Sequence, residues 1–294
     1  MSIFVVAVSN NNEASVTEAS ASAVTEASVT ELSPFNQGVE VFKDRFRTNF
    51  ISDKRYRYLV TGLKNTIIIT VFAVLVGTFL GFVLASIRYS YEELSIKNKR
   101  GIGAFILKLL NFITKVYLTV IRGTPVLIQL MIIYYGIFAA VNINKILVAI
   151  IAFGINSGAY VAEIVRSGLS SVDRGQFEAG RSLGLSYMST MVTIIIPQAF
   201  KNILPALANE LIVLLKETSV AGYIALNDLT RGGDTIRGVT YNSMPLYAVA
   251  LIYLIVVMIL SHFVTKLENH LKTDRAVVRK KLLFKKQIDE EELS

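Results

Sequence analysis

The sequence contains no cysteine and only two histidines, His262 and His270. Disulfide frameworks, thiol chemistry and zinc clusters therefore have no ligands to work with, and cysteine usage reports no redox compartment. Charge is scarce as well. Asp, Glu, Lys and Arg make up 18% of the 294 residues, apolar residues make up 53%, and mean hydropathy is +0.52. An ordinary soluble domain carries more charge and less apolar surface, so the composition points to a membrane. The chain also lacks a Gly-x4-Gly-Lys-Ser/Thr phosphate loop and a His-x-x-x-His metal pair, which removes nucleotide hydrolysis and zinc chemistry from its own repertoire. The net charge is +8 with pI ≈ 9.5. The basic residues lie beside long apolar runs, where they fit anionic headgroups, and nucleic acid is not an expected partner.

What is present is a series of apolar runs separated by charged connections. Residues 1–37 form a low-complexity tail that repeats Val-Thr-Glu-Ala-Ser at 16–20 and 24–28 and Val-Thr-Glu-Leu-Ser at 29–33. Disorder is expected there, and the opening Met-Ser-Ile-Phe-Val-Val-Ala-Val is too short and lacks the basic flank of a signal peptide. Residues 38–64 mix Lys43, Arg45, Arg47, Lys54, Arg55, Arg57 and Lys64 with Phe42, Phe46, Phe50, Tyr56 and Tyr58, which suits a segment in the headgroup layer. An all-α transmembrane domain over 65–270 is expected next, followed by a charged tail at 271–294.

Five spans are expected, at about 67–87, 124–141, 146–163, 200–220 and 246–264. The uncharged run at 67–87 is 21 residues long, enough at about 1.5 Å per residue to cross a hydrocarbon core of roughly 30 Å. The second span is placed after a polar, basic connection at 88–115. There Thr124 suits a helix N-cap and Pro125 a first helical turn. Under this assignment the loops at 88–122 and 163–202 and the C-terminal tail hold the larger share of Lys and Arg. The positive-inside rule then predicts a cytoplasmic C-terminus, against which the basic segment 38–64 stands as the one dissent.

One connection carries a denser pattern. In Asp173-Arg-Gly-Gln-Phe-Glu-Ala-Gly-Arg-Ser-Leu-Gly-Leu-Ser186, Asp173 can cap a short helix, Gly184 can end it and Ser186 can cap another. Two short helices meeting at a glycine make a compact knob able to lie in a groove of a soluble partner. This segment, about 173–190, resembles the signature loop of ABC importer permeases, Glu-Ala-Ala-x3-Gly-x9-Ile-x-Leu-Pro. Glu178, Ala179, Gly184, Ile194 and Pro197 match it at the right spacing, while Gly180 replaces the second alanine and Ile196 the leucine. Arg122-Gly-Thr-Pro125 with Gln129, Asn156-Ser-Gly-Ala-Tyr-Val-Ala-Glu163, and the stretch from Pro197-Gln-Ala-Phe200 to Lys216-Glu-Thr-Ser219 extend the likeness to the polar amino-acid uptake branch.

The resemblance implies a methionine-importer-like (type I) transmembrane fold in the cell membrane. It also implies a second permease subunit, as homodimer or heterodimer, a pair of cytoplasmic ATPase subunits, and an extracytoplasmic amino-acid-binding protein. The chain itself would hold no cofactor, ATP and magnesium being bound by the partner ATPase, and would not be an enzyme. Glu178, Ala179, Gly180, Gly184, Ile194 and Pro197 would form the ATPase-coupling surface. Gln129, Asn156, Ser157 and Glu163 are candidates for the substrate pathway. Each has a plainer reading: Glu163 can pair with Arg166 three residues on, Gln129 can bond to a neighbouring helix, and Asn156 and Ser157 can serve helix packing. A secondary transporter or channel is the alternative class; it needs intramembrane coupling-ion or filter residues and often shows inverted repeats.

Overall fold

Small residues recur four apart on two of the long apolar segments, and the bundle is built where those segments meet. The computed structural model describes residues 34–93 and 100–291, with side chains over 35–92 and 100–271. The described elements are helical in order: α1 (Pro34–Phe46), α2 (Tyr56–Glu93), α3 (Ile102–Gly123), α4 (Val126–Met131), α5 (Lys145–Ser170), α6 (Arg174–Ser182), α7 (Tyr187–Thr190), α8 (Ile196–Glu217), α9 (Leu229–Thr240) and α10 (Met244–Glu291). Five stretches are long and apolar enough to cross a membrane, and no strand occurs among the described residues. The expected tail lies outside the described residues up to position 33. Its last residues, from Pro34, open α1, because proline is tolerated in a first helical turn.

Gly77 and Gly81 of α2 and Gly154 and Gly158 of α5 all lie in the seam between the two helices. A Cβ at Gly77 would stand 2.7 Å from Ser157 Cβ, and one at Gly81 would stand 2.5 Å from Val161 Cγ1. On the other helix, Gly154 and Gly158 leave 2.8 Å to Val76 Cγ1 and Leu80 Cδ2. The two backbones therefore approach as closely as paired small-xxx-small motifs allow, and dispersion between helices replaces the hydrophobic driving force that lipid cannot supply. Ile69, Ala73, Ala149, Ala152 and Phe153, all buried, extend this seam into a core completed by Leu130, Leu214, Ala221 and Ile224.

The bundle has two distinct ends. At one, α6 and α7 form a knob beside Tyr89, whose hydroxyl meets Met191 Sδ at 3.4 Å. At the far end, α9 lies against the start of α2: Asn65 Nδ2 donates to Asn227 O at 2.8 Å, and the Leu229 amide donates to Thr66 Oγ1 at 3.1 Å. Fully buried Asp228 caps α9 by accepting from the amides of Thr230 and Arg231 at 2.9 and 3.3 Å. Burial pushes its carboxyl above the ordinary range, against the pull of those backbone donors.

The structure redraws three span boundaries. The first apolar helix begins at Tyr56 instead of 67. The second crossing falls on α3, Ile102–Gly123, in the region read as a connection, whereas Val126–Ile137 is only 12 residues, roughly 18 Å and too short to cross alone. The reason lies in the helical projection of α3. Lys108, Lys115 and Arg122 are seven apart and share one stripe, adjacent to the buried stripe of Asn111, Thr114 and Leu118. The opposite face exposes only apolar side chains, among them Phe105, Leu109, Phe112, Ile113, Val116 and Val120. The fourth crossing starts at Tyr187 instead of 200. Pro197 does not stop it, because the helix widens into a π turn over Met191–Ile195 in which the Ile196 amide bonds Met191 O. That turn relieves the clash a proline ring makes with the carbonyl four residues back.

Replacing Gly81 or Gly158 by leucine is expected to force α2 and α5 apart, costing roughly 1–3 kcal/mol or more by overpacking. Gly103→Ala, which meets nothing within 4 Å, is the control. Thermal unfolding in detergent should show a lowered midpoint for the leucine variants alone; equal midpoints would contradict the seam.

Candidate functional site: a charged cavity behind an exposed knob

Pro125 sets the architecture of the cavity. The residue before a proline is driven out of helical geometry, and Thr124 is accordingly extended at φ −125°, ψ 146°. Thr124 thus ends α3, and Pro125 itself stands at the N-cap of α4, so the expected N-cap role of Thr124 does not occur. The break leaves the Ile121 carbonyl without its usual partner, since the residue four on is proline and has no N–H. Gln129 fills the gap: its Nε2 lies 2.8 Å from Ile121 O, 3.0 Å from Thr124 O and 2.8 Å from Thr124 Oγ1. Its Oε1 accepts from Asn156 Nδ2 at 2.9 Å, tying the break to the middle of α5. Asn156 Oδ1 is buried without a hydrogen-bond partner among the described residues.

One turn further towards the knob, the same faces open into a cavity of about 660 Å³ lined by Arg122, Tyr160, Glu163, Ser167, Asn202 and Glu210, among others. Glu163 accepts from Arg166 Nη2 and Nε at 2.5 and 3.2 Å, and Arg122 Nη1 lies 3.7 Å away. The Arg122 guanidinium also sits 5.8 Å above the Tyr160 ring. Glu210, on α8, accepts from Ser157 Oγ at 2.9 Å, so an otherwise costly intramembrane carboxylate has a donor. The lining thus offers fixed charges of both signs and hydroxyl and amide groups. Among the described residues no group of His, Asp or Glu is disposed to hold a metal.

Of the residues proposed for a substrate pathway, Glu163 lines this cavity. Gln129, Asn156 and Ser157 are buried behind its wall, where the first two bond to each other and the third to Glu210. Asn202 and Ser167 were not singled out from sequence. Asn202, which donates to Ser171 Oγ at 2.5 Å, stands beside Lys201 and near Gln198, so no local signal set it apart.

The knob follows the capping logic of its sequence. Asp173 Oδ1 accepts from the Gly175 amide at 2.7 Å and Ser186 Oγ from the Ser189 amide at 3.1 Å. Between them α6 closes in a Schellman motif: Leu185 N bonds Gly180 O at 3.2 Å and Gly184 N bonds Arg181 O at 3.0 Å, with Gly184 at φ +80°. Gly180 is buried where α6 meets the π turn. A Cβ there would stand 2.7 Å from Thr190 Cγ2 and 3.1 Å from Ile194 Cδ1, so Thr190 and Ile194 fill the space an alanine methyl would occupy. Phe177 and Tyr187 lock the two helices with rings 5.4 Å apart at 66°. Glu178 and Ala179 point to solvent, Leu183 is 81% exposed and Met188 66%, and Pro197 is exposed just beyond the π turn. Gly180-Arg-Ser182-Leu-Gly184 also has the spacing of a hydrolase nucleophile elbow. Ser182, however, ends an exposed helix, and no strand among the described residues leads into it.

The sequence profile of the family described as "binding-protein-dependent transport system inner membrane component" matches residues 100–273. The chain belongs to that family. Curated relatives of this transport component include the arginine transport system permease protein ArtQ of Bacillus subtilis (strain 168), 37% identical over 220 residues, covering 74% of this chain and 94% of that protein. The glutamine transport system permease protein GlnP of Escherichia coli (strain K12) is 34% identical over 218 residues, covering 73% and 93%. Among solved structures, an amino acid ABC transporter crystallised with histidines is 39% identical with a TM-score of 0.66, covering 75% of this chain and 98% of that one. The inward-facing MetNI methionine ABC transporter is 19% identical with a TM-score of 0.60 over 74% and 97%, a likeness that establishes the methionine-importer-like fold.

Gln129→Leu is expected to cost about 1–3 kcal/mol, because it strands the Ile121 carbonyl and the Asn156 amide in the bundle. Adding Asn156→Leu should recover part of that loss, since removing both partners is milder than removing one. Midpoints from detergent unfolding of the two single variants and the double would show this coupling; strict additivity would separate the pair.

Proposed function

We propose that this chain is the permease subunit of an ATP-driven, binding-protein-dependent importer that carries a polar amino acid by alternating access. The observation that carries the reading is the exposed knob, closed by Gly184 and presenting Leu183, Met188, Glu178 and Ala179 with no cover from the other described residues. A rigid protrusion of this kind suits the groove of a soluble ATPase. The relatives named as arginine and glutamine permeases, and the related amino acid transporter, support the substrate class.

In this reading two permease subunits pair, and two ATPase subunits, which hold ATP and magnesium, receive their knobs from the cytoplasm. With the knob in the cytoplasm, the two crossings that follow it return the C-terminus to the cytoplasm and place the α9 end between them towards the extracytoplasmic binding protein. Closure of the ATPases draws the paired knobs together and tilts α5 and α8 from an inward-open to an outward-open arrangement. Glu163 meets the substrate's ammonium group and Arg122 its carboxylate, each exchanging an existing ion pair for one with the substrate. Gln129, Asn156 and Ser157 hold the wall behind them.

The test is reconstitution in liposomes with the cognate ATPase and binding protein, measuring ATPase stimulation and uptake with each amino acid in turn. Stimulation by one class of polar amino acid is expected. Leu183→Glu and Gly184→Trp should each reduce ATPase association by about tenfold or more, the effect of losing one well-packed anchor, with membrane insertion intact. Survival of both association and uptake would remove the knob from the mechanism. Uptake driven by an ion gradient without any ATPase would favour a secondary transporter.

A further inference from the structure

α1 and the turns that join it to α2 form an amphipathic collar at the far end of the bundle, all of it preceding the residues that the family profile matches. Phe35, Val39, Phe42 and Phe46 recur at helical spacing along α1 and are 79%, 36%, 59% and 44% exposed. Phe42, Phe46 and Phe50 form a ladder with ring centroids 6.3 and 5.0 Å apart. Its last rung is buried against Leu59, Leu229, Ile236 and Val249. Asn49, 1% exposed, pins the same turn: its Nδ2 donates to Arg45 O at 2.7 Å, and its Oδ1 accepts from Thr240 Oγ1 at 2.7 Å. The chain then turns sharply through Asp53 and Lys54, both at positive φ (52° and 54°), before α2 begins. Arg55 braces this corner by donating to Thr48 O at 2.6 Å and Asp53 Oδ2 at 2.8 Å.

The collar is therefore held firmly by the bundle yet leaves its aromatic stripe bare. The ladder's buried end, Phe50, packs on Val249 near the start of α10, an apolar crossing whose other face exposes Tyr247, Leu251 and Leu254 at 74%, 56% and 53%. Cations surround the stripe. Lys43 is paired with Glu40 and Arg55 with Asp53, but Arg45, Arg47, Lys54 and Arg57 are without a carboxylate partner among the described residues. A bare aromatic stripe anchored on an apolar crossing and edged by unpaired cations matches one kind of occupant: acyl chains beneath anionic headgroups.

We infer that residues 35–57 form a lipid-binding collar that inserts the Phe35–Phe42–Phe46 stripe at the bilayer surface and gathers anionic phospholipid headgroups on Arg45, Arg47, Lys54 and Arg57. This holds a ring of anionic lipid against α2 and α10. It depends on the chain crossing a membrane and is independent of what is transported.

The chain has no tryptophan, so Phe42→Trp places a single permease reporter in the stripe. The full-length variant is purified without partner subunits and reconstituted in nanodiscs of phosphatidylcholine and phosphatidylglycerol, with one or other lipid brominated near the headgroup. The expected result is blue-shifted emission, with quenching by the brominated phosphatidylglycerol about fivefold above its share of the lipid, as one unscreened cation at an anionic surface would give. Combined Arg45→Gln, Arg47→Gln, Lys54→Gln and Arg57→Gln should abolish that preference while leaving the blue shift. Since exposed positions alone are changed, the variant should fold; its elution profile checks this. Equal quenching by both lipids, or a preference that survives the four substitutions, would overturn the headgroup assignment. Red-shifted, unquenched emission that turns blue only when the binding protein is added would overturn the collar and make the stripe a protein-docking surface.

Discussion

The close approach of α2 and α5 is the constraint from which the rest of the bundle follows. In lipid there is little hydrophobic gain in bringing two apolar helices together, so contact must come from shape. Four glycines supply it by letting backbone meet side chain on both sides of the crossing. Once that seam is fixed, Asn156 and Ser157 have no lipid to face and point inward from the same stretch of α5. Asn156 finds Gln129 across the break before α4, and Ser157 finds Glu210 on α8. The polar interior of the bundle is thus a consequence of its tightest apolar contact.

The charged cavity depends in turn on a missing hydrogen bond. Pro125 deprives the Ile121 carbonyl of its normal donor and turns the chain at Thr124, and the side chain of Gln129 restores the bond from below. Arg122, in the last turn of α3 just before the break, lies next to Glu163 on the stripe that adjoins the buried face. A buried amide, a proline and an exposed ion pair, which look unrelated along the chain, are successive parts of one local arrangement.

The knob was legible in the sequence because its determinants are local. Asp173, Gly184 and Ser186 each act within a few residues, and each sits where capping chemistry requires it. The number of crossings was legible too, but the position of the second was not. Lys108, Lys115 and Arg122 look disqualifying when charges are counted along the chain, and become acceptable only when α3 is projected and all three fall beside its buried stripe. The start of the fourth crossing was not legible either, since a π turn carries the helix past Pro197 from Tyr187. The cavity was legible only in part. Glu163 stood out as a charge at the end of an apolar run, whereas Asn202 and Ser167 gain meaning only from packing that brings α5 and α8 together.

The fourth crossing runs as one helical stretch from Tyr187 to Ile224, through the π turn near its start and a 3₁₀ turn at its end, with the knob at one tip. It rests on α5 where Ile203 crowds Gly168, a Cβ at which would stand 2.2 Å from Ile203 Cγ1. Roughly 24 Å of helix lies on the knob side of that fulcrum and roughly 32 Å on the other, at about 1.5 Å per residue. The arms are nearly balanced. A tilt of about 5° about the contact therefore moves the knob by roughly 2 Å and the opposite tip by roughly 3 Å in the reverse direction, which is about the displacement at which a packed interface changes register. In the proposed mechanism, a push on the knob would emerge at the opposite tip with its sense inverted and its size enlarged by about a third.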